Sequence, residues 1–461
     1  MADYTELLRA HARAGAEEAV HALRSLVSIP GSAWAGADPQ HLEHSAALVA
    51  QLFGDAGFPE VDVVRAEKPD GMPGAPAVLA RRPAAPGSPS VLLYAHHDVQ
   101  PTGDLGAWHS PPFEAVERRG RLFGRGVADN KGGVVLHLAA CRALARTLGV
   151  EAGVGVTVLV DGEEEVGSPS LPRLLDAQGT LLRPDVVIVA DSGNWRVGVP
   201  ALTTSLRGFA SATLEVRVLE HSLHTGTFGG AVLDALAALS HLVASLYAAD
   251  GSVAVPGLVG WDDGRWELSE EDYRLDAGVL PGVQLAGSGS IASRLWTKPA
   301  LSIIGIDAPP VALSADAIVP SARARFSLRL APGDDPARAL AAVRAHLEAN
   351  APLGARITVT PGASTEAFAG DAASGPARSM LAAMKEVWGV DPVLMGVGGS
   401  IPAAAELAAR FPSAQVLITG VEDPDSRAHG ADESIDLADF HRAVLAEALL
   451  LASLGHGGRA A

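Results

Sequence analysis

Four short apolar runs each break off into acids or histidines: "SVLLYAHHD" (90–98), "VTVLVDGEEE" (156–165), "DVVIVAD" (185–191) and "AQVLITGVEDPDSRAH" (414–429). Their cores are apolar at successive rather than alternate positions, the pattern of a strand covered on both faces. Helical patterns lie between them: "NKGGVVLHLAACRALARTLG" (130–149), "PSLPRLLDAQGT" (169–180) and "PARSMLAAMKEVWG" (376–389). Strand alternating with helix predicts an open α/β sheet, which gathers its ligands beyond the carboxyl ends of its strands. All four runs carry their polar residues at that end.

Asp161, Glu163, Glu164 and Glu165 crowd negative charge at one such end. Like charges this close raise one another's pKa and destabilise the fold unless a cation neutralises them. His96 and Asp98 are two apart and face one side of an extended chain, with His97 facing the other as a packing or surface residue. A carboxylate beside an imidazole is how a metal-ligating histidine is oriented. Asp129, in "GRLFGRGVADNKGG" (120–133), precedes a helix and reads either as its N-cap or as a carboxylate shared by two ions. Asp191 ends the third run and His429 follows the fourth. Glu164 and Glu165 can diverge, one to a metal and one to a water. Two histidines and three carboxylates, one of them shared, satisfy a pair of borderline divalent ions. Such a pair lowers the pKa of bound water from ~15.7 toward ~7. A glutamate outside the ligand set then takes the proton, a contribution of roughly 10²–10⁴ in rate.

Residues 205–370 follow another pattern. "GFASATLEVRVLE" (208–220) alternates as a half-exposed strand, and "GGAVLDALAALSHLVASL" (229–246) reads as a helix. "KPALSIIGI", "SARARFSLRLAP", the helix "DPARALAAVRAHLEAN" and "ARITVTPG" complete a strand, helix, two strands, helix, strand order, a ferredoxin-like split βαβ pattern. The economical division is a catalytic domain in two pieces, 1–204 and 371–461, interrupted by a lid over 205–370.

The 35 basic and 53 acidic residues leave a formal charge of −18, which argues against nucleic acid or an anionic membrane as partner. One cysteine, Cys141, rules out an intrachain disulfide or a thiolate metal cluster. The charged N-terminus lacks the basic-then-apolar order of a signal peptide, and no apolar run approaches the ~20 residues of a membrane span. A cytoplasmic location is expected, and the closing "GHGGRAA" reads as a frayed end.

The stretches "YAHHDVQP", "WHSPPFEAVERRGRLFGRGVADNKGG", "DGEEEVGS", "ADSGNW", "LHTGTFGG", "KPALSIIGI", "FSLRLAP", "GVGGSIP" and "AHGADE" together resemble the metallopeptidase family of carnosinases, aminoacylase, succinyl-diaminopimelate desuccinylase and glutamate carboxypeptidase. "HHDVQP", the tryptophan-bearing segment before "GRG" and "GGSIP" are most similar to its cytosolic nonspecific dipeptidase and carnosinase branch. The resemblance implies a three-layer α/β/α catalytic domain with a mixed, largely parallel sheet, and an inserted ferredoxin-like α+β lid/dimerisation domain. It implies that His96, Asp129 and Asp191 hold one ion and Asp129, Glu165 and His429 the other. The pair would be zinc, with manganese or cobalt as alternatives. Glu164 would be the base, Asp98 would orient His96, and the Asp129–Asn130 peptide would be cis. Glu163 is left over, solvated or in a loop contact.

His224 matches a residue that relatives supply from a neighbouring subunit to stabilise the oxyanion, which implies a homodimer. Its setting departs from the pattern: Ser222 and Leu223 precede it where an acid is usual, and Thr225 replaces the commoner serine. Arg329 in "FSLRLAP", and Gly399 and Ser400 in "GGSIP", would receive the substrate's terminal carboxylate. The implied activity is hydrolysis of the peptide bond of dipeptides. An N-acyl-amino-acid deacylase or a carboxypeptidase needs nearly the same parts. A non-catalytic metal-binding scaffold is opposed by the complete ligand set with Glu164 beside it.

Overall fold

The structure, a computed structural model, describes residues 2–179, 181–263 and 268–457. Thr180, at the end of one expected helix, and residues 458–461 of the expected frayed end lie outside the described residues. The chain divides into two compact units, one of Met1–Thr204, Gly370–Met395 and Ile401–Ala461, the other of Ser205–Ala369 and Gly396–Ser400.

The strands that frame the first unit begin with β1 (Glu60–Val64), β2 (Ala77–Arg82), β3 (Ser90–His96), β4 (Gly155–Asp161), β5 (Val186–Ala190) and β6 (Ala201–Leu206). The second unit contributes β7 (Gly208–Arg217), β8 (Ala300–Asp307), β9 (Ser321–Leu330) and β10 (Arg356–Thr365), and the chain returns to the first with β11 (Gln415–Thr419).

In the first unit the sheet order is β1-β2-β4-β3-β5-β11-β6. β3 runs parallel to β4 and β5, and β11 runs parallel to β5. These four central strands are the four apolar runs. β1, β2 and β6 join antiparallel, so the sheet is mixed and parallel pairing stops at the centre. Val91, Leu93, Val158 and Ile188 enter one large core with Leu138 of helix Lys131–Leu148 and Leu450 of helix Leu437–Gly457. At the alternate positions Leu92, Tyr94, Leu159, Val187 and Val189 are buried as well. Each such side chain contributes about 1.5–3 kcal/mol on leaving water, which is why the runs are apolar throughout.

Helix Lys131–Leu148 opens on a glycine pair whose size matters. A Cβ on Gly133 would lie 2.3 Å from the carbonyl oxygen of Ala190, and one on Gly132 would lie 2.4 Å from that of Val127. Only hydrogen at Gly133 lets the helix start press against the carboxyl end of β5, and only hydrogen at Gly132 lets it close on the loop at Val127. That approach delivers Asp129 to the sheet edge.

The second unit is a four-stranded antiparallel sheet in the order β8-β9-β7-β10. Leu239 and Leu242 of helix Ala235–Ser245, and Val343 and Leu347 of helix Pro336–Ala349, pack with Leu214, Phe326 and Leu328. The first of these helices begins at Ala235 rather than at 229. Asp234 caps it, its carboxylate accepting the Ala237 N–H at 2.7 Å. Among the described residues no helix is long and apolar enough to cross a membrane.

Candidate metal centre

β3, β4 and β5 end side by side, so whatever follows them in sequence meets at one edge. His96 is the last residue of β3 and is fully buried. Its Nδ1 faces Asp98 Oδ1 at 3.2 Å, which turns Nε2 toward Asp129 Oδ1 at 3.1 Å and Asp191 Oδ1 at 3.4 Å. His429 brings its Nε2 to 2.8 Å from the other oxygen of Asp129 and 3.4 Å from Glu165 Oε2. Asp129 therefore stands between two histidines from segments far apart in the chain. It does not cap the helix: Asn130 holds the N-cap position, and the Asp129–Asn130 peptide is cis. Asn130 Nδ2 instead donates to the carbonyl of Ala190 at 2.6 Å and to Asp191 Oδ1 at 2.9 Å, steadying that carboxylate.

After β4 the acids separate by direction. Asp161 turns inward, accepting from Ser168 Oγ at 2.6 Å and Tyr94 OH at 3.2 Å. Glu163 is fully buried. It accepts the N–H groups of Ala75 at 3.1 Å and Ser170 at 2.8 Å, with Lys68 Nζ at 3.3 Å. Of its two expected fates, solvated or loop contact, the structure selects the loop contact. Glu164 and Glu165 form a single 3-10 turn with Val166 and both point to the centre. Gln100 Nε2 donates to Glu165 Oε2 at 2.7 Å. His97 is buried, its Nε2 on the carbonyl of Pro76 at 2.8 Å, so it is a packing residue.

The charges strain against one another. Burial and then Asp191 push the Glu164 carboxyl well above its ordinary 4.5. Burial also raises Asp191, against the pull of His96. Burial opposes charge on His96, yet Asp191, Asp129 and Asp98 carry its pKa well above 6.5. At Asp129 burial is outweighed by the His429 and His96 rings close beside it, which hold the carboxyl far below its usual range. Glu422, which the sequence reading passed over, is another such acid, raised by burial and by Asp129 and Asp191. Its carbonyl accepts the N–H of Asn194 at 2.8 Å, beside the Asp191 strand end.

These residues suit a divalent metal. His96 Nε2 and Glu165 Oε1 are buried without any hydrogen-bond partner, a condition that native structures rarely leave unexplained. Donor atoms of His96, Asp129 and Glu165, and of His96, Glu164 and Asp191, lie within 4.8 Å of one another. Two ligands at about 2.0–2.1 Å from one tetrahedral ion stand about 3.4 Å apart. That is the His96–Asp191 and the His429–Glu165 separation. Distance alone groups Glu164 with the ligands, so its distinct role rests on the family resemblance.

The remaining candidates belong to the second unit. His224 is exposed, and its Nδ1 accepts the Gly226 N–H at 3.1 Å, capping the turn Thr225–Phe228. A neutral ring so held carries its proton on Nε2, which becomes a donor. Arg329 lies over the ring of Phe209 at 5.1 Å, with Nη1 3.5 Å from Ser400 Oγ, next to Gly399. Arg207, unnoticed in the sequence, is buried beside them and donates to the carbonyl of Gly398 at 3.1 Å.

An α/β sheet whose parallel strands deliver histidines and carboxylates to one edge frames a site of the metal-binding class. The model of Peptidase family M20/M25/M40 matches residues 92–453, and the chain belongs to that family. It is 36% identical over 376 residues to cysteinylglycine-S-conjugate dipeptidase of Corynebacterium striatum, covering 80% of this chain and 82% of that one. It is 28% identical over 419 residues to beta-Ala-His dipeptidase of Rattus norvegicus, covering 86% and 84%. Among solved structures, the dipeptidase Dug1p of Saccharomyces cerevisiae superposes with a TM-score of 0.81 at 23% identity over 99% of both chains, a likeness of fold.

Proposed function

We propose that this chain is a metallodipeptidase that hydrolyses the peptide bond of dipeptides with two divalent ions. One observation carries the reading: His96, Asp129, Glu165, Asp191 and His429 converge on one sheet edge with Glu164 beside them. The names of the relatives, cysteinylglycine-S-conjugate and beta-Ala-His dipeptidase, point to the same substrate class. His96, Asp129 and Asp191 would hold one ion and Asp129, Glu165 and His429 the other. Nitrogen and oxygen donors of this kind suit zinc, with manganese or cobalt as alternatives. When bound, such ions supply Lewis acidity and lower the pKa of water.

The protein's own groups do the rest. Glu164 takes the proton of the attacking water and returns it to the leaving amine. Asp98 keeps the His96 ring turned. In the second unit, read as a lid and dimerisation domain on a split βαβ frame, His224 of a partner subunit donates Nε2–H to the oxyanion. Arg329 and Ser400, with Gly399, take the substrate carboxylate, a task for a guanidinium fork. The acidic composition and the single buried Cys141 support a cytoplasmic setting for a homodimer.

The test is a substrate panel after chelation and add-back of zinc, manganese or cobalt. Metal-dependent turnover of free dipeptides, Cys-Gly and β-Ala-His among them, is the expected result. Preference for N-acetyl amino acids would make the chain a deacylase. Trimming of longer peptides from the carboxyl end would make it a carboxypeptidase. Stabilisation by metal with no hydrolysis would leave a binding protein.

A further inference from the structure

Two buried residues outside the ligand set tie three segments of the centre together. Glu433 is fully buried, and its Oε1 accepts the N–H groups of Ala128 at 2.9 Å and of Asp129 itself at 3.0 Å. Its Oε2 accepts the Gly126 N–H at 3.0 Å and Arg125 Nη1 at 2.5 Å. Arg125, 1% exposed, sends Nη2 to the carbonyls of His429 at 3.1 Å, Gly430 at 3.0 Å and Pro101 at 3.3 Å. The loop of Asp129, the turn of His429 and the segment after His96 thus share one ion pair. The turn needs such a hold: Arg427, His429 and Asp432 all adopt left-handed backbone, with φ of 54°, 63° and 58°.

A single carboxylate absorbing four N–H donors is a rigid reference point. It fixes where the main chain of Asp129 lies, and through Arg125 where that of His429 lies. We infer that the Arg125–Glu433 pair is a positioning device that sets Asp129 and His429 at the spacing of the His429-side ion. This rests on the ligand reading given above. Neither residue touches substrate; both act through the ligands they hold. Partners of this kind contribute roughly 10–100-fold to metal affinity.

The test titrates the chelated full-length protein with manganese by calorimetry. Two binding steps are expected in the parent, and His429→Ala should eliminate one. Glu433→Gln, equal in shape but short of one acceptor and its charge, should weaken that same step by roughly 10–100-fold. The other step, which shares Asp129 but not His429, should weaken less, and dipeptide turnover should recover as manganese is raised. A folded Glu433→Gln with both steps unchanged, or with both weakened alike, overturns the inference. Both steps surviving in His429→Ala overturns the ligand reading instead. Should Glu433→Gln not fold, Arg125→Lys is judged by the same criterion, since one ammonium keeps the charge but cannot serve the Glu433 carboxylate and the three carbonyls at once.

Discussion

Asp98 holds Glu165 by its backbone: Oδ2 accepts the Glu165 N–H at 3.1 Å, while Oδ1 accepts that of Glu164 at 3.1 Å and faces His96 Nδ1 at 3.2 Å. One buried carboxylate thus orients a histidine and anchors the turn that carries both glutamates. Asp98→Ala should lower metal affinity by roughly 10–100-fold and activity with it. Metal content after dialysis, measured beside turnover at saturating metal, checks this. Full metal retention by the Asp98→Ala protein would limit Asp98 to a structural role.

Glu164 and Glu165 are neighbours with different assignments. Glu164→Ala should bind both ions and lose roughly 10²–10⁴ in kcat, the contribution of a general base. Elemental analysis paired with steady-state kinetics decides it. Loss of an ion with Glu164 would show that the two glutamates had been interchanged.

His224 is predicted to serve a neighbouring subunit's centre. Inactive His224→Ala and inactive Glu164→Ala subunits, mixed and reassembled, should recover activity through one working site in each mixed dimer. Absence of recovery in mixed dimers verified by mass removes the shared-site idea.

Cys141 is buried in the core, and burial pushes its thiol above the ordinary range. The thiolate is the reactive form, so the native protein should resist a thiol reagent at neutral pH. One equivalent should react once denaturant unfolds the chain. Rapid labelling of the folded protein would contradict the packing described for helix Lys131–Leu148.

His441, on helix Leu437–Gly457, has its pKa lowered from 6.5 by burial. It lines a small crevice with His11, Glu18, Arg142 and Arg146, the charged and titratable groups it shares that space with. The unfolded chain binds this proton more readily than the folded one. Stability should therefore rise with pH through the window below 6.5, and the penalty should be absent above it. Melting curves between about pH 5 and 8 should show a shallower slope for His441→Gln than for the parent. Equal slopes would mean that the ring stays protonatable in the fold.

Much of the first unit was legible because its signals are local. A run of five or six apolar residues announces a strand buried on both faces wherever it sits. The acids and histidines that follow each run in sequence also follow it in space, so His96 and Asp191 could be named as site residues before any coordinates. Asp129 stood on the boundary between cap and ligand, and Asn130 at the N-cap position removes the first of these readings. The start of helix Ala235–Ser245 was misjudged because the apolar pattern continues upstream of the residue that caps it.

Composition and periodicity by themselves determined that this chain builds an α/β sheet and ends its central strands in histidines and carboxylates. The tertiary structure alone decided which acids turn away from that edge. Asp161 and Glu163 are indistinguishable from Glu164 and Glu165 as letters, but Ser168, Tyr94, Lys68 and two backbone amides draw the first two inward. Glu433 meets the amide of Asp129 across 304 positions of sequence, a contact that no local pattern announces. A carboxylate's role depends on the donors around it, and those donors come from wherever the folded chain happens to pass.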